Sequence, residues 1–430
     1  MAGIRELHGL MRQLDDQLAT CMRCGMCQAV CPLYAETGRE AQVARGKIAL
    51  LEQLAADLTE DAVGVRERLE SCLLCGSCAA NCPSGVKVLD IFLKARAILA
   101  GYLGLPPAKR AIFRTLLARP KLFNFLTGLA SRLQGLAVKP VNEVVGSSCA
   151  RFASPLGDRH FPALAGTPLH GEVPSLDQAA GKSGLRAAFF PGCMVDKVYP
   201  RVGLATLKVL AHHGVGVYMP AEQACCGMPA LASGDRPAFE NLVRLNLKLF
   251  AGRPFDALIT PCATCTAAIK EAWPAMTADW TGPEREQVLE LAGRTMDLNA
   301  FLADKVGLPP VPAPAGERTR VTYHDPCHLK KSLKVSAQPR ALIARNPGCE
   351  LVEMADADVC CGCGGSFTLL HPELSANIGR RKRDNIVATG ARVAVTSCPA
   401  CMLQITDMLS RAGDDVEVRH PVELYAQTLP

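Results

Sequence analysis

Residues 21–32 read CMRCGMCQAVCP, and the same pattern returns at residues 72–83 as CLLCGSCAANCP. Each run is CxxCxxCxxxCP, so three closely spaced cysteines share a tight loop and a fourth precedes a proline. Such a loop directs three thiolates to one centre, and thiolates favour soft metal ions. The residues between the runs are typical of helices, with Leu50, Leu51, Leu54 and Leu58 on one stripe. The two runs therefore predict a helical domain that binds metal through cysteine.

The spacing of both runs is that of bacterial ferredoxins, which bind two [4Fe-4S] clusters. In such domains the fourth cysteine of each run ligates the other cluster. We therefore predict one cluster on Cys21, Cys24, Cys27 and Cys82, and the other on Cys72, Cys75, Cys78 and Cys31. The alternative is structural zinc, but a zinc site prefers four ligands in two CxxC pairs and does not require eight cysteines in this order. The helical connection favours the all-helical type of two-cluster domain.

The chain has 430 residues, enough for two or three domains, and it contains 21 cysteines. Residues 1–20 mix charged and apolar side chains, which predicts no signal peptide, and no apolar stretch is long enough to span a membrane. We therefore expect a cytoplasmic protein whose reduced thiols serve metal or redox chemistry. A net charge of +6 is too small to indicate binding of nucleic acid.

A basic segment follows the two runs. Residues 105–140 contain seven lysines or arginines and no acidic residue, interleaved with apolar side chains. A basic amphipathic helix can lie on an anionic membrane, so peripheral contact with the inner face of a membrane is one prediction. The alternatives are packing of the apolar stripe on the metal-binding domain and docking of a partner. Residues 146–184 are rich in Gly, Pro and Ser and lack a period, which is typical of a linker.

The C-terminal half contains one module used twice. A single cysteine, a Cys-Cys-Gly and a CxxC occur in the same order in both copies, at offsets of 134 to 136 residues. The first set is Cys193, Cys225, Cys226, Cys262 and Cys265, and the second is Cys327, Cys360, Cys361, Cys398 and Cys401. Short β-rich runs alternate with helical segments, which predicts α/β modules with parallel sheets. Ligands of such sheets lie at the carboxyl ends of the strands, so each set should meet at one edge.

Five cysteines per copy exceed what a cubane cluster or a tetrahedral zinc site needs. Adjacent cysteines such as Cys225 and Cys226 can bridge irons in an unusual cluster. The alternative is that some members of each set are buried, inert thiols or belong to a zinc site.

Several residues near these motifs have no assigned role. Cys149, Cys349 and Cys363 fall outside the pattern, although Cys363 is close enough in sequence to serve as a spare ligand. His324 and His328 flank Cys327. Three roles are open for these two histidines: tuning a cluster, moving protons at a quinone site, or forming structural hydrogen bonds.

The double CxxCxxCxxxCP followed by two CCG modules resembles the iron–sulfur subunit of glycolate oxidase and of related membrane-associated D-lactate dehydrogenases. Similar modules occur in heterodisulfide reductase subunits and in the third subunit of anaerobic glycerol-3-phosphate dehydrogenase. The resemblance covers nearly the whole chain. By resemblance to heterodisulfide reductase, each five-cysteine set implies a noncubane [4Fe-4S] cluster, so one or two such clusters join the two ferredoxin-type clusters.

This resemblance implies an electron-transfer subunit of a membrane-associated oxidoreductase that acts on D-lactate or glycolate, with an acceptor other than NAD. The chain has no GxGxxG after a strand and no other residue set typical of a flavin or nicotinamide site. We therefore assign no catalytic residue and expect an FAD-containing partner subunit to accept the hydride. A quinone or another carrier is the expected electron acceptor. The alternative is a heterodisulfide-reductase-like catalytic subunit that reduces a disulfide or quinone at a noncubane cluster.

The predicted fold class is α followed by α/β, arranged in four parts. Residues 1–103 form a helical ferredoxin-type domain with two [4Fe-4S] sites, and residues 104–184 form the basic helical segment and linker. Residues 185–315 form the first CCG module, and residues 316–430 form the second. Parallel sheets are expected in both modules.

Overall fold

The computed structural model describes residues 4–151, 158–313 and 316–430. Residues 1–3 of the predicted helical domain, 152–157 of the predicted linker, and 314–315 at the predicted boundary between the modules lie outside the described residues. The chain divides into two compact units. The first unit comprises Met1–Ala118, Gly227–Leu242 and Gly362–Ile378, and the second comprises Arg119–Cys226, Val243–Cys361 and Gly379–Pro430.

The N-terminal part of the first unit is helical, as the sequence predicts. Its helices are α1 (Ile4–Met11), α2 (Asp15–Leu18), α3 (Met26–Ala29), α4 (Pro32–Thr37), α5 (Ala44–Ala55), α6 (Ala62–Glu70), α7 (Ser77–Ala80), α8 (Val88–Leu103) and α9 (Pro107–Ala111). Leu51 and Leu54 of α5 are buried, whereas Leu58 is 76% exposed. The prediction for Leu58 is wrong because α5 ends at Ala55, and Asp57 then takes a left-handed conformation with φ 66° that turns the chain.

Short turns of 3-10 and π type supplement these helices. The 3-10 turns cover Arg12–Leu14 and Glu40–Gln42, and the π turns cover Ile112–Leu116, Ala268–Ala272, Leu302–Val306 and His328–Ser332.

Helix α10 (Pro120–Ala137) contains much of the predicted basic amphipathic segment. None of its residues is buried, and Phe125, Leu133 and Leu136 are 68%, 52% and 73% exposed. It leads into a three-stranded antiparallel sheet of β1 (Val138–Asn142), β2 (Ser147–Ala150) and β3 (His160–Phe161). The segment predicted as a linker thus contains paired strands within its described residues.

The first module contains a five-stranded sheet, and its first strand and first helix precede residue 185, the predicted start of the module. Its strands are β4 (Leu176–Asp177), β5 (Arg186–Phe189), β6 (Gly216–Met219), β7 (Ala257–Thr260) and β8 (Thr295–Asp297). Its helices are α11 (Leu169–Glu172), α12 (Gly192–Lys197), α13 (Pro200–His212), α14 (Met228–Ala232), α15 (Arg236–Phe250), α16 (Ala263–Ala267), α17 (Trp273–Met276), α18 (Gly282–Arg294) and α19 (Leu298–Phe301). The strand order is β4-β6-β5-β7-β8, and every neighbouring pair is parallel except β4 and β6. Ala187, Ala188 and Phe189 of β5 are fully buried, as expected for a parallel strand covered on both faces.

The second module repeats this arrangement with four strands. They are β9 (Thr319–His324), β10 (Cys349–Leu351), β11 (Val393–Thr396) and β12 (Glu417–Arg419), and the helices are α20 (Ala337–Ile343), α21 (Phe367–Leu370), α22 (Pro372–Val387), α23 (Pro399–Ala412) and α24 (Pro421–Ala426). The sheet is wholly parallel, in the order β10-β9-β11-β12. Val321, Tyr323 and Val395 form its core with Leu424. The predicted fold class, helical and then duplicated α/β, is confirmed.

Two further segments, Gly227–Leu242 and Gly362–Ile378, complete the first unit, and each directly follows the Cys-Cys pair of one module. Arg96 Nη1 donates to the carbonyl of Ala232 at 2.7 Å. Arg114 Nε donates to both carboxylate oxygens of Asp235, at 3.1 and 3.0 Å, and the Asp235 side chain is fully buried. A Cβ added to Gly364 would lie 2.7 Å from Leu73 Cδ2. The N-terminal helices therefore pack closely against one segment from each module.

Candidate metal centres

The first CxxCxxCxxxCP run closes around a cavity in the first unit. Cys21, Cys24 and Cys27 line this cavity, and so does Cys82 of the second run. The loop turns tightly because Arg23 and Gly25 have positive φ angles of 55° and 88°. The structure thus brings together the four cysteines that the sequence assigns to one centre.

The second run builds a matching cavity. Cys72, Cys75 and Cys78 line it together with Cys31 of the first run. Leu74 and Gly76 have positive φ angles of 53° and 73°, at the same places in the loop as Arg23 and Gly25. The Leu74 backbone N–H donates to Cys72 Sγ at 3.4 Å. Cys78 lines both cavities, so the two centres are neighbours.

The thiols in these cavities are suited to a metal cation. All 21 cysteines lie within the described residues, and none of them forms a disulfide. Burial raises the pKa of Cys31 to about 11 and raises the pKa of Cys78 well above its ordinary value. Such thiols stay protonated at neutral pH until a metal cation replaces the proton. A donor set of four thiolates around one cavity fits an iron–sulfur cluster.

Buried cations distinguish the second cavity from the first. Lys47 lines the second cavity, is 1% exposed, and donates from Nζ to the Gln42 carbonyl at 2.6 Å. Arg96, 6% exposed, donates from Nη2 to the Cys72 carbonyl at 2.8 Å. Arg45 lines the first cavity, but its Nε is bound to Glu40 at 2.7 Å, which compensates its charge. The second cavity therefore has the more positive surroundings, which stabilise an anionic cluster.

The five cysteines of the first module lie beyond the ends of its strands. Cys193 is in α12 directly after β5, and Cys262 caps α16 after β7, accepting from the Cys265 N–H at 3.4 Å. The Cys193 thiol contacts that of Cys225, and the Cys265 thiol contacts those of Cys226 and Cys262. These contacts, together with burial, keep the pKa of Cys193 and Cys265 well above the ordinary value. The set therefore meets at one sheet edge, as the topology predicts.

The second module places its cysteines at the corresponding edge. The Cys401 thiol contacts those of Cys361 and Cys398, and Cys360, which precedes Cys361 in the chain, is also buried. Cys327 begins the π turn that follows β9 and is partly exposed.

The two sets also touch each other. Cys398 accepts a hydrogen bond from Cys262 of the first module, which lowers the pKa of the Cys398 thiol. Thr264 Oγ1 lies 3.5 Å from Cys398 Sγ and 3.4 Å from His328 Nδ1, and Ala263 N–H donates to the Ser397 carbonyl at 3.2 Å. The sequence offset shows that the modules are copies, but it does not predict this contact between their CxxC loops.

His324 belongs to the second site. One of its ring nitrogens and the Sγ atoms of Cys361 and Cys401 lie within 4.8 Å of one another. The ring is fully buried, and burial lowers its pKa to about 3, so it is neutral. Nδ1 lies 3.0 Å from the Ala357 carbonyl and must donate to it, which leaves a free lone pair on Nε2. Nε2 has no hydrogen-bond partner among the described residues.

The first module lacks this nitrogen. In the second module, His324 is paired with Thr396, which is two residues before Cys398. In the first module, the Phe190 N–H donates to the Ile259 carbonyl, and the next residue, Thr260, is two residues before Cys262. Phe190 thus occupies the place of His324. The sequence signal is the difference between FPGC and HDPC around the first cysteine of each set.

Lys382 was not identified from the sequence. It is 2% exposed, donates to the Asp356 carbonyl, and lies near Cys360 and Cys361. Burial lowers its pKa to about 8. The second site therefore has two nitrogen bases close to its thiols.

The cysteines outside the motifs have other surroundings. Cys149 is in β2 and pairs with Lys139 of β1. Cys349 pairs with Thr319 at the amino end of β9, opposite to the end that Cys327 follows. Cys363 is buried within a segment of the first unit.

Comparison with known proteins bears on these sites. The 4Fe-4S dicluster domain matches residues 17–86, and the cysteine-rich domain CCG matches residues 187–270 and 321–406. A probable glycolate oxidase iron-sulfur subunit of Bacillus subtilis is 30% identical over 95% of this chain and 93% of its own length. A subunit of the fumarate reductase (CoM/CoB) of Methanothermobacter marburgensis is 29% identical over 98% of this chain and 74% of its own. Lactate utilization protein A of Shouchella clausii is 32% identical over 55% of this chain and 96% of its own.

Proposed function

Because the chain belongs to the family of iron–sulfur subunits that includes the glycolate oxidase subunit, we propose that it carries electrons away from a 2-hydroxy acid, glycolate or D-lactate. An FAD-containing partner subunit oxidises the acid, and a quinone or another carrier accepts the electrons at the cytoplasmic face of a membrane. Bound clusters supply one-electron redox chemistry. The observation that carries the proposal is the pair of neighbouring cavities, each lined by three cysteines of one run and the last cysteine of the other, with Cys78 lining both.

In this proposal, the cysteines of the chain ligate the clusters and a nearby side chain compensates their charge. Cys21, Cys24, Cys27 and Cys82 ligate one [4Fe-4S] cluster, and Cys72, Cys75, Cys78 and Cys31 ligate the second. Lys47, which lines the second cavity, compensates the negative charge of the second cluster. The two five-cysteine sets of the CCG modules ligate one or two noncubane clusters.

The isolated chain is expected not to oxidise glycolate or D-lactate. The reason is that hydride transfer needs an acceptor such as flavin, which the proposal assigns to the partner subunit. The measurement is reduction of an artificial dye by anaerobically purified protein, with its iron and flavin content determined in parallel. Addition of the FAD-containing partner should start the reaction, and hydroxy-acid oxidation by a flavin-free chain would contradict the proposal.

A second function, reduction of a disulfide or quinone by this chain itself, is favoured by the nitrogen bases of the second site. Reduction of a disulfide to two thiols consumes two electrons and two protons, and Lys382, with a pKa of about 8, is a suitable proton donor. The test supplies a reduced viologen dye and a disulfide to the isolated chain. Turnover that falls in Lys382→Gln but not in Lys331→Gln supports this second function, and absence of turnover excludes it.

Replacing His324 with Phe is expected to make the second site resemble the first. If Nε2 binds iron, the pulsed EPR spectrum of the wild type contains a nitrogen coupling that His324→Phe removes while the iron content stays unchanged. His328→Phe is the matched control, because the His328 ring faces Thr264. An identical nitrogen coupling in wild type and His324→Phe would exclude ligation by this residue.

Helix α10 is the feature that supports peripheral membrane contact. Phe125, Leu129 and Leu133 recur at intervals of four residues and are 68%, 44% and 52% exposed, so they form an apolar face. Exposed Arg132 supplies positive charge, whereas Lys121 Nζ lies 3.4 Å from Glu222 Oε1 and is paired. Among the described residues no helix is long and apolar enough to cross a membrane. Contact through α10 is therefore proposed as interfacial.

Anionic vesicles are expected to sediment this protein at low salt, and the triple variant Phe125→Ser, Leu129→Ser, Leu133→Ser should stay in the supernatant. Each near-surface charge contributes about 1 kcal/mol of attraction, so added salt should release the wild type. Leu289→Ser, which removes a 48% exposed leucine from α18, is the control and should sediment normally. Arg114 is unsuitable as a test of surface charge because it is bound to buried Asp235. Equal recovery of wild type and triple variant in the supernatant would remove the membrane proposal.

A further inference from the structure

The first unit contains a cavity that the cysteine motifs do not use. Its volume is about 150 Å³, and its lining includes Arg66, Glu70, Arg96, Lys109, Ser233 and Leu370. A cavity of about this size can hold a ligand as large as benzene. Three of these side chains are cationic and one is anionic, so the lining has an excess of positive charge.

Hydrogen-bond donors in this cavity lack acceptors. Within the described part of the chain, Arg66 Nε, Arg96 Nε and Ser233 Oγ are buried and have no hydrogen-bond partner. Arg96 and Ser233 are each only 6% exposed. A buried donor without an acceptor is costly and calls for a bound water, ion or ligand.

Arg96 is fixed so that only Nε remains available. Its Nη1 donates to the Ala232 carbonyl at 2.7 Å, and its Nη2 donates to the carbonyls of Leu69 and, at 2.8 Å, Cys72. All of these acceptors are neutral backbone oxygens. A guanidinium remains charged in proteins, so these bonds leave its positive charge uncompensated.

The only carboxylate among the described lining residues compensates the cations weakly. Glu70 Oε1 lies 4.0 Å from Lys109 Nζ, at the limit of an ion pair, and both side chains are partly exposed. Arg66 Nη1 donates to the Gly104 carbonyl at 3.4 Å, which is again a neutral acceptor. Three cations and one carboxylate leave two positive charges facing the cavity.

We propose that this cavity binds a compact oxyanion, a phosphate or a small carboxylate, through Arg66, Arg96, Lys109 and Ser233. An oxyanion offers several acceptor oxygens to the unpartnered donors and supplies the missing negative charge. Leu370 and the loop that follows α8 provide an apolar wall. A bound anion would also lie close to the second cysteine cavity, because Arg96 bonds to the carbonyl of Cys72.

The test is isothermal titration of the full chain, purified anaerobically with its iron, using inorganic phosphate and glycolate in separate experiments at constant ionic strength. We expect saturable binding at one site per chain. Arg66→Gln and Lys109→Gln should each weaken it by about tenfold or more, since each removes a charged hydrogen bond. Arg110→Gln is the matched control, because Arg110 does not line the cavity. Glu70→Gln should strengthen binding, since it removes the opposing negative charge.

The two titrations separate the sources of the oxyanion. Binding of phosphate alone identifies a phosphate site, and binding of glycolate alone identifies a carboxylate site. Melting temperature and visible absorbance verify that each variant is folded and keeps its iron. The proposal is overturned if neither anion binds saturably, or if Arg66→Gln and Lys109→Gln bind as tightly as Arg110→Gln.

Discussion

Replacing Cys82 with Ser should eliminate the cluster held by Cys21, Cys24 and Cys27 and leave the cluster of the second run intact. The reason is geometric, because Cys82 lines the first cavity although it belongs to the second run. A serine at this place removes one of four thiolate ligands, and iron in these clusters favours thiolate. Iron analysis should show a loss of about four atoms per chain, and EPR should lose the signal of one cluster.

Two further variants make this result specific. Cys31→Ser should eliminate the other cluster, because Cys31 lines the cavity of Cys72, Cys75 and Cys78. Cys149→Ser, outside both cavities, should keep all of the iron. If Cys82→Ser instead removes only the cluster of Cys72, Cys75 and Cys78, each run binds its own cluster and the crossed assignment is wrong.

The CCG modules are expected to contribute iron of their own. The wild type should contain between about eight and about sixteen iron atoms per chain, with matching sulfide. Cys265→Ser and Cys401→Ser are equivalent changes in the two modules, and each removes a buried thiol that contacts two others of its set. Where a module carries a cluster, its variant should lose about four iron atoms.

Contact between the modules gives this experiment a second readout. Because Cys262 bonds to Cys398, clusters in both modules should show magnetic interaction in the EPR spectrum. Either single variant should abolish the interaction, whereas Cys349→Ser should preserve it. Full iron content in both Cys265→Ser and Cys401→Ser, or zinc in place of iron, would show that these sets are not cluster ligands.

Local patterns account for the parts of the fold that the sequence predicts. The glycine and cysteine spacing of each run specifies a tight loop. The β-rich stretches 186–190, 256–260 and 392–397 contain β5, β7 and β11, and the stretch 320–325 covers all of β9 except Thr319. Because the carboxyl ends of parallel strands lie at one edge of a sheet, the meeting of the cysteines at that edge can be predicted even where the loop structures cannot. The repeat can also be predicted from the sequence, since both copies of the module keep nearly the same spacing between their cysteines.

Long-range packing accounts for the parts that could not be predicted. Arg114 reads as a surface charge in a basic segment, but its carboxylate partner Asp235 is distant in sequence. Lys382 is one of several basic residues on α22, and only the fold reveals that it is buried near Cys360 and Cys361. Hydropathy and residue spacing do not predict these pairings, because each pairing depends on which surfaces pack together in the folded chain.

The segments Gly227–Leu242 and Gly362–Ile378, which complete the first unit, affect how the protein is made. Ribosomes deliver the chain from its N-terminus at roughly 5–20 residues per second, and a domain usually folds as it emerges. Here α8 and the second cysteine run are released long before Ala232 and Gly364 arrive to pack against them. During this interval Arg96 and Leu73 lack these packing partners, so the surroundings of the second cysteine run are completed only after Gly364 has been made.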